Sequence, residues 1–432
     1  MNTAIVNGHV VDPANGTDAV TSIFIGDDRI VHVGSEPPDG FEVEQWIDAS
    51  GKLVVPGLVD LAARLGEPGF EYKADIGSES LAAVAAGITT LCCLPDTSPA
   101  IDAPAEIEFI EQRQDEVGLA RIKVIAALTQ GLEGKQLSEM AALKAAGCVG
   151  VSNVFGPLAS GNVLRSALAY AASHDLTIFV HPEDRDLANN GCIHEGAVAT
   201  RLGLPGVPEA AETAAIGYLL PIIRLTGARV HFCRLSTAAG MNMVRRARID
   251  GLPVTADVCA HQLFLTEMDA ADFNPLCHTR PPLRTQRDKE ALRKGLTENG
   301  IDAICSDHQP HELDAKLAPF AVTEPGISAL ETLLPLTLRL VDEGVLSLPQ
   351  AIAQVTCNPA RILGLTELGQ LGAGAAADLC IIDPDAEWEC QPTRFRSRGK
   401  NSPFGGWPFR GEVTHTFVGG ELVYTPEEGV TA

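Results

Sequence analysis

The chain has 432 residues, 45% apolar and 20% charged, which is long enough for one large α/β domain with a smaller companion. Its 56 acidic residues against 32 basic ones leave −24 at pH 7, a field that repels phosphate backbones and anionic membranes, so nucleic acid and membrane partners are excluded. Eleven scattered cysteines without a CxxC pair, and no run of roughly 20 apolar residues, predict a reducing cytoplasmic setting without disulfides or membrane spans.

The N-terminus, "MNTAIVNGHVVDPANG", shows neither a basic patch nor a long apolar run, so no signal peptide is expected. Residues 1–55 then carry short β-type runs, "AIVNGHVVDP", "TSIFIGDDRIVHVG" and "WIDASGKLVVPG", broken by turn residues. Residues 56–364 alternate apolar strands with Ala-rich amphipathic stretches. The predicted strands are "LVDLAA", "ITTLCCL", "IKVIAAL", "CVGVSNV", "LTIFVHP", "ARVHFCRL", "LPVTADVC" and "DAICSDH". The predicted helices include "SESLAAVAAG", "SEMAALKAAG", "NVLRSALAYAASHD" and "AGMNMVRRARIDG", several closed by glycine. Cys92 and Cys93 read as small core residues of the second strand. Residues 365–432 return to β grammar in "GAAADLCIIDPDAEWEC" and "EVTHTFVGGELVY".

Eight strands alternating with helices predict a (β/α)₈ barrel whose site lies at the C-terminal strand ends. The two β-rich ends predict a small composite β-sandwich domain built from both termini. An open doubly wound sheet is the alternative, but no GxGxxG follows the first strand.

The strand ends read "DLAAR", "LPDT", "VSNVFG", "VHPED", "HFCRLST" and "SDHQPH". With "RPPLR" at 280–284, "KNSPFGGWPFRGEV" at 400–413 and "GQLGAGAAADLCIIDP" at 369–384, the chain resembles the dihydroorotases of the amidohydrolase superfamily over nearly its whole length. That resemblance implies an HxH pair on strand one, a bridging carboxylate, histidines on strands five and six and an aspartate on strand eight. Together these hold one or two zinc ions that activate water for hydrolysis of a cyclic amide.

Carried over residue by residue, the pattern is degenerate. The HxH positions are Ala62 and Arg64, the bridging carboxylate is Asn153, and the strand-six histidine is Arg234. His181 and Asp307 keep their types, Asp307 at the family's catalytic position. Among substrate positions, the arginine after HxH is Gly66, the asparagine of the strand-two turn is Asp96 and the one before "PPLR" is Arg280, while His311 is retained. His231, three residues before Arg234, falls on the opposite face of its strand and reads as a core histidine. His308 and His278 have no companion at ligand spacing, and Glu183, Asp184 and Asp186 read as a solvated loop face.

A catalytic zinc takes three protein ligands plus water. Two guanidiniums in their place oppose a dication by roughly 8 kcal/mol each at about 4 Å and an effective dielectric of 20. No metal is therefore expected, and Arg64 is expected to neutralise Asp307, with Asp96 on its other side. What the resemblance implies is a non-catalytic homologue that assembles, as homo- and hetero-oligomer, with the catalytic chain of aspartate carbamoyltransferase in pyrimidine biosynthesis. Two other readings stay open. One is an active cyclic amidohydrolase with a rearranged single-zinc site on His181, Asp307 and His308 or His311. The other is a regulatory chain whose Arg64, Arg234 and Arg280 take a carboxylate or phosphate ligand.

Overall fold

The computed structural model describes residues 2–157 and 160–426, so Leu158 and Ala159 of the turn-rich stretch at 153–162 lie outside the described residues. Eight parallel strands form the barrel in sequence order: Leu58–Ala63, Ile88–Cys93, Arg121–Ala127, Gly150–Ser152, Thr177–Val180, Val230–Phe232, Val254–Cys259 and Ala303–Cys305. The first and last meet where the His308 N–H donates to the Ala62 carbonyl at 3.0 Å and the Arg64 N–H donates to the His308 carbonyl at 3.0 Å. Strands one and two are buried at every residue, because one face fills the barrel and the other meets the helices, so their apolar runs do not alternate.

The helices start and stop where local chemistry directs. Asp75 accepts the Ser78 N–H and opens Ile76–Ala85, and Thr237 accepts the Gly240 N–H to open Ala238–Ile249. Gly118 and Gly227 close Pro104–Val117 and Glu209–Thr226 in the left-handed conformation, which a β-carbon would disfavour. None of the described helices is long and apolar enough to cross a membrane. All eleven cysteines are buried free thiols.

Strands from both ends of the chain share a second, eight-stranded sheet. The join is antiparallel: Leu53–Pro56 pairs with Leu379–Glu389, Val54 opposite Ile381. Arg121 on barrel strand three donates Nε and Nη2 to Asp378 at 2.7 and 3.1 Å, fastening this sheet to the barrel.

The C-terminal "KNSPFGG" motif supports the barrel mouth. Asn401 accepts the His311 N–H at 2.9 Å and donates to the carbonyls of Gln309 and Gly326 at 2.9 and 3.1 Å, holding the loop after strand eight. Buried Glu79 accepts the Arg398 N–H at 3.1 Å and lies 2.7 Å from His308 Nε2. The other His308 nitrogen accepts the Ala329 N–H at 3.0 Å, so Nε2 is the donor to Glu79 and the ring is a structural tie.

Asp60, wholly buried on strand one, accepts the Ser306 N–H at 2.8 Å. Burial raises its carboxyl to about 6, against the hydrogen bonds from Ser306. Because the folded-state value exceeds the unfolded one, this group favours folding fully below pH about 4, and the contribution disappears as pH rises through about 6. Asp60→Asn is expected to remove up to about 3 kcal/mol of pH-dependent stability over that window, read as a flatter plot of unfolding free energy against pH than the wild type gives.

Candidate functional site

The ends of strands one, two, four, five, six and eight converge on the ring of Phe155, in the loop after strand four. Three guanidiniums surround it, with Arg64, Arg234 and Arg280 at 5.0, 4.7 and 4.5 Å from the ring centroid. His181 meets the same ring edge-on at 5.0 Å. Each arginine also has a carboxylate: Arg64 Nε donates to Asp96 at 2.8 Å, Arg234 Nη1 to Asp307 at 2.9 Å, and Arg280 to Glu183. With the Arg64–Asp307 contact at 3.6 Å, four ion pairs are thus packed around one aromatic ring at the mouth of the barrel.

Arg64 meets both carboxylates as expected, its Nη1 ion-paired with Asp307 at 3.6 Å and its Nε hydrogen-bonded to Asp96 at 2.8 Å, and the structure adds a second cation, Arg234, which gives Asp307 its hydrogen bond at 2.9 Å. The backbone brings Arg234 there. Arg234 and Asp307 both turn at their strand ends with positive φ, 57° and 47°, a conformation uncommon for residues with a β-carbon. Asp307 and Arg234 are each 2% exposed, so an unpaired charge there would be costly. Burial opposes the charge on Arg234, but Asp307 outweighs it and holds the guanidinium protonated.

Glu183 also departs from its solvated-loop reading. Its side chain is only 10% exposed, lies 3.6 Å from His181 and pairs with Arg280. Burial would raise its carboxyl, yet His181 and Arg280 bring it down to about 2. Asp184 caps the short helix Arg185–Ala188, and Asp186 is solvent-exposed.

The remaining degenerate positions have structural work. Asn153 accepts from the Thr129 N–H and hydroxyl at 3.1 and 2.9 Å and donates to the Pro157 carbonyl, fixing the loop that carries Phe155. Ala62 is buried, its carbonyl part of the barrel closure. Gly66 has φ of 77°, and a β-carbon there would come within 2.0 Å of the Ala74 carbonyl oxygen, so this backbone does not admit an arginine. His278 shares a hydrogen with the Thr323 hydroxyl and stacks on Phe320.

His231 is fully buried inside the barrel, bonded to Thr255 at 2.8 Å and Asp257 at 2.9 Å. With Cys233 it forms the one group of three His, Cys, Asp or Glu donors within 4.8 Å among the described residues. Asp257 already accepts both the His231 ring and the Arg234 N–H, so this group is a hydrogen-bonded core network.

The donor set at the mouth does not fit a catalytic zinc. One oxygen of Asp307 accepts Arg234 and the other accepts Gln309 at 2.9 Å, leaving His181 as the remaining retained ligand position. Both ring nitrogens of His181 lack hydrogen-bond partners among the described residues, and burial lowers its proton affinity.

Two residues escaped the sequence reading. Phe155 had no charge or spacing to mark it, although "VSNVFG" places it two residues after Asn153. His261, beyond strand seven, is buried to 2% with neither ring nitrogen hydrogen-bonded among the described residues, and burial brings it down to about 4. Phe155→Ala is expected to cost about 2 kcal/mol, from three cation–π contacts of ~0.5–1 kcal/mol each. Phe155→Leu, which keeps apolar bulk without the ring quadrupole, should lose nearly as much in urea unfolding; a silent Leu variant would show that the ring's electrostatics do not matter.

A barrel of this topology with its site at the C-terminal strand ends, joined to a sheet of both termini, is the architecture of the amidohydrolases. Residues 51–239 match the family model described as dihydro-orotase-like, and residues 325–424 match an amidohydrolase family model. The chain is 45% identical to a dihydroorotase-like protein of Pseudomonas putida over 99% of this chain and all of the relative. It is 42% identical to a protein of Syntrophotalea carbinolica named dihydroorotase, over 98% of this chain and 99% of the relative. The L-hydantoinase (dihydropyrimidinase) of Arthrobacter aurescens superposes with a TM-score of 0.86 at 25% identity, covering 98% of this chain and 95% of that one. The protein belongs to the dihydroorotase-like family of cyclic amidohydrolases.

Proposed function

We propose that this chain is a non-hydrolytic dihydroorotase homologue that acts as a structural, stabilising subunit of aspartate carbamoyltransferase in the cytoplasmic synthesis of pyrimidines. The observation that carries the non-hydrolytic part is the buried Arg234–Asp307 pair at 2.9 Å, which gives a guanidinium the carboxylate that would otherwise handle the proton of a metal-bound water. The carbamoyltransferase role rests on the family resemblance of the degenerate positions Ala62, Arg64, Asn153 and Arg234. The name "dihydroorotase-like protein" carried by the Pseudomonas relatives is compatible with it.

Co-expression with the transferase catalytic chain from the same organism, followed by light-scattering mass measurement, tests the partnership. A single hetero-oligomeric species and a transferase less stable without this chain are the expected results. Two independently eluting proteins, with full transferase stability alone, would overturn it.

A second reading, a hydrolase with a rearranged single-zinc site on His181, Asp307 and His311, is favoured by the buried ring nitrogens of His181 and His311 that have no hydrogen-bond partner among the described residues. Relatives named dihydroorotase at 42% and 40% identity point the same way. Elemental analysis with a dihydroorotate hydrolysis assay separates the two readings. Stoichiometric zinc with turnover abolished by a chelator would establish the second.

A further inference from the structure

A surface helix ordinarily turns its charged residues to water and keeps its apolar stripe for the core. The helix Glu209–Thr226, on the outside of the barrel, departs from this. Its inner face buries Ala211, Ile216, Leu219 and Ile223. Its outward positions Ala210, Ala214, Gly217, Tyr218, Pro221 and Leu225 are uncharged as well, with Tyr218 45% and Leu225 71% exposed. At the helical period these six fall within one arc of about 100°, a second apolar stripe that faces solvent. Alongside it a groove of about 600 Å³ runs against the helix Ala238–Ile249, with Leu220, Pro221 and Met243 in its walls.

The charge around this face indicates what covers it. At −24 over the whole chain, two copies repel each other across most of their surfaces. The helices Gly161–Ser173 and Ala238–Ile249, which pack on either side of Glu209–Thr226, contain no aspartate or glutamate. Glu209–Thr226 itself has acids only in its first turn, and Glu212 there is buried. The arginines of Ala238–Ile249 are matched by their own neighbours, Arg245 by Glu298, Arg246 by Asp250 and Arg248 by Asp302. A strongly charged partner gains little from so neutral a face, whereas a second copy of this acidic chain can approach here without repulsion.

The face also complements itself. Turned antiparallel about the midpoint between Gly217 and Tyr218, the helix sets Leu225 against Ala210, Pro221 against Ala214 and Tyr218 against Gly217 of a second copy, a larger side chain on a smaller one each time. Eighteen helical residues span ~27 Å, and with a helix of ~10 Å width on either side the face covers ~800 Å², about what each partner buries in a stable dimer.

We propose that two copies of this chain associate through a two-fold contact of their Glu209–Thr226 helices, antiparallel and crossing at Gly217. The contact needs only this chain, so it stands or falls apart from the carbamoyltransferase role proposed above.

Sedimentation velocity of the full chain alone, at about 20 µM, tests it. The expected particle holds an even number of copies, and Gly217→Glu, which sets a carboxylate at the crossing, is expected to halve its mass. A β-carbon at Gly217 meets only the Met243 methyl, at 3.7 Å, and glutamate is the better helix former, so this variant should keep the wild-type melting temperature of the isolated chain or better it. Leu225→Glu should also halve the mass, while Val20→Glu, at a residue 73% exposed on the second sheet, should leave it unchanged. Because all eleven native cysteines are buried, Gly217→Cys adds an exposed thiol next to the two-fold axis, and oxidised glutathione should cross-link two copies through it but not through Val20→Cys. A monomeric wild type, an unchanged mass for a folded Gly217→Glu, or no cross-linking of Gly217→Cys would each overturn the proposal. A chain that is monomeric alone and loses transferase binding in Gly217→Glu would overturn it too, and would give the face to the transferase.

Discussion

Arg234→Met is expected to lower the stability of the protein by about 3–5 kcal/mol, because it leaves Asp307 charged and almost wholly buried with only Gln309 still hydrogen-bonded to it. Arg64 Nη1 keeps its ion pair with Asp307 at 3.6 Å but its hydrogen bond goes to Asp96, and rotating it inward would leave a second carboxylate unpaired. Adding Asp307→Asn to the same chain removes the stranded charge and should recover most of the loss, and asparagine tolerates the positive φ of 47° at this position. Chemical denaturation of the wild type, the single and the double variant measures both steps. A single variant within about 0.5 kcal/mol of wild type would mean that Arg64 or solvent takes over the role of Arg234.

The second large effect concerns metal. Converting Ala62, Arg64 and Arg234 to histidine and Asn153 to aspartate, with His181 and Asp307 already present, should turn a chain without a fitting donor set into one that binds zinc stoichiometrically. Each guanidinium removed takes away roughly 8 kcal/mol of repulsion towards a dication at about 4 Å, and each replacement adds a ligand. Elemental analysis after dialysis reads the outcome, with thermal melting in the presence and absence of zinc as a check that the variant folds. A folded variant that takes up no zinc would show that the loops, and not the six side chains alone, have abandoned the site. Asn153 is the position where this is most severe, since its amide ties Thr129 to Pro157 and an aspartate there must give up the contact with the Pro157 carbonyl.

Much of the barrel was legible because its signal is local. Runs such as "ITTLCC" and "TIFV" are apolar throughout, since both faces are buried, and the intervening Ala-rich segments have helical spacing with capping residues such as Asp75 and Thr237. The identity of the side chains at the strand ends followed from chain order alone. Their partnerships did not. Glu183 looked like one of three loop acids, and only the approach of Arg280, 97 residues away in sequence, shows it as half of a buried ion pair.

The sequence by itself determined the eight-strand alternation and placed Ala62, Arg64, Asn153, His181, Arg234 and Asp307 at or beside the C-terminal ends of strands, because residue type and spacing are local properties of the chain. Tertiary structure alone decided that Arg234 joins Arg64 on Asp307 and gives it the hydrogen bond, and that Phe155 gathers three guanidiniums. Those outcomes depend on ångström-scale distances between loops remote in sequence. A hydrogen bond at 2.9 Å and an ion pair without one at 3.6 Å differ in strength yet are written with the same residue types.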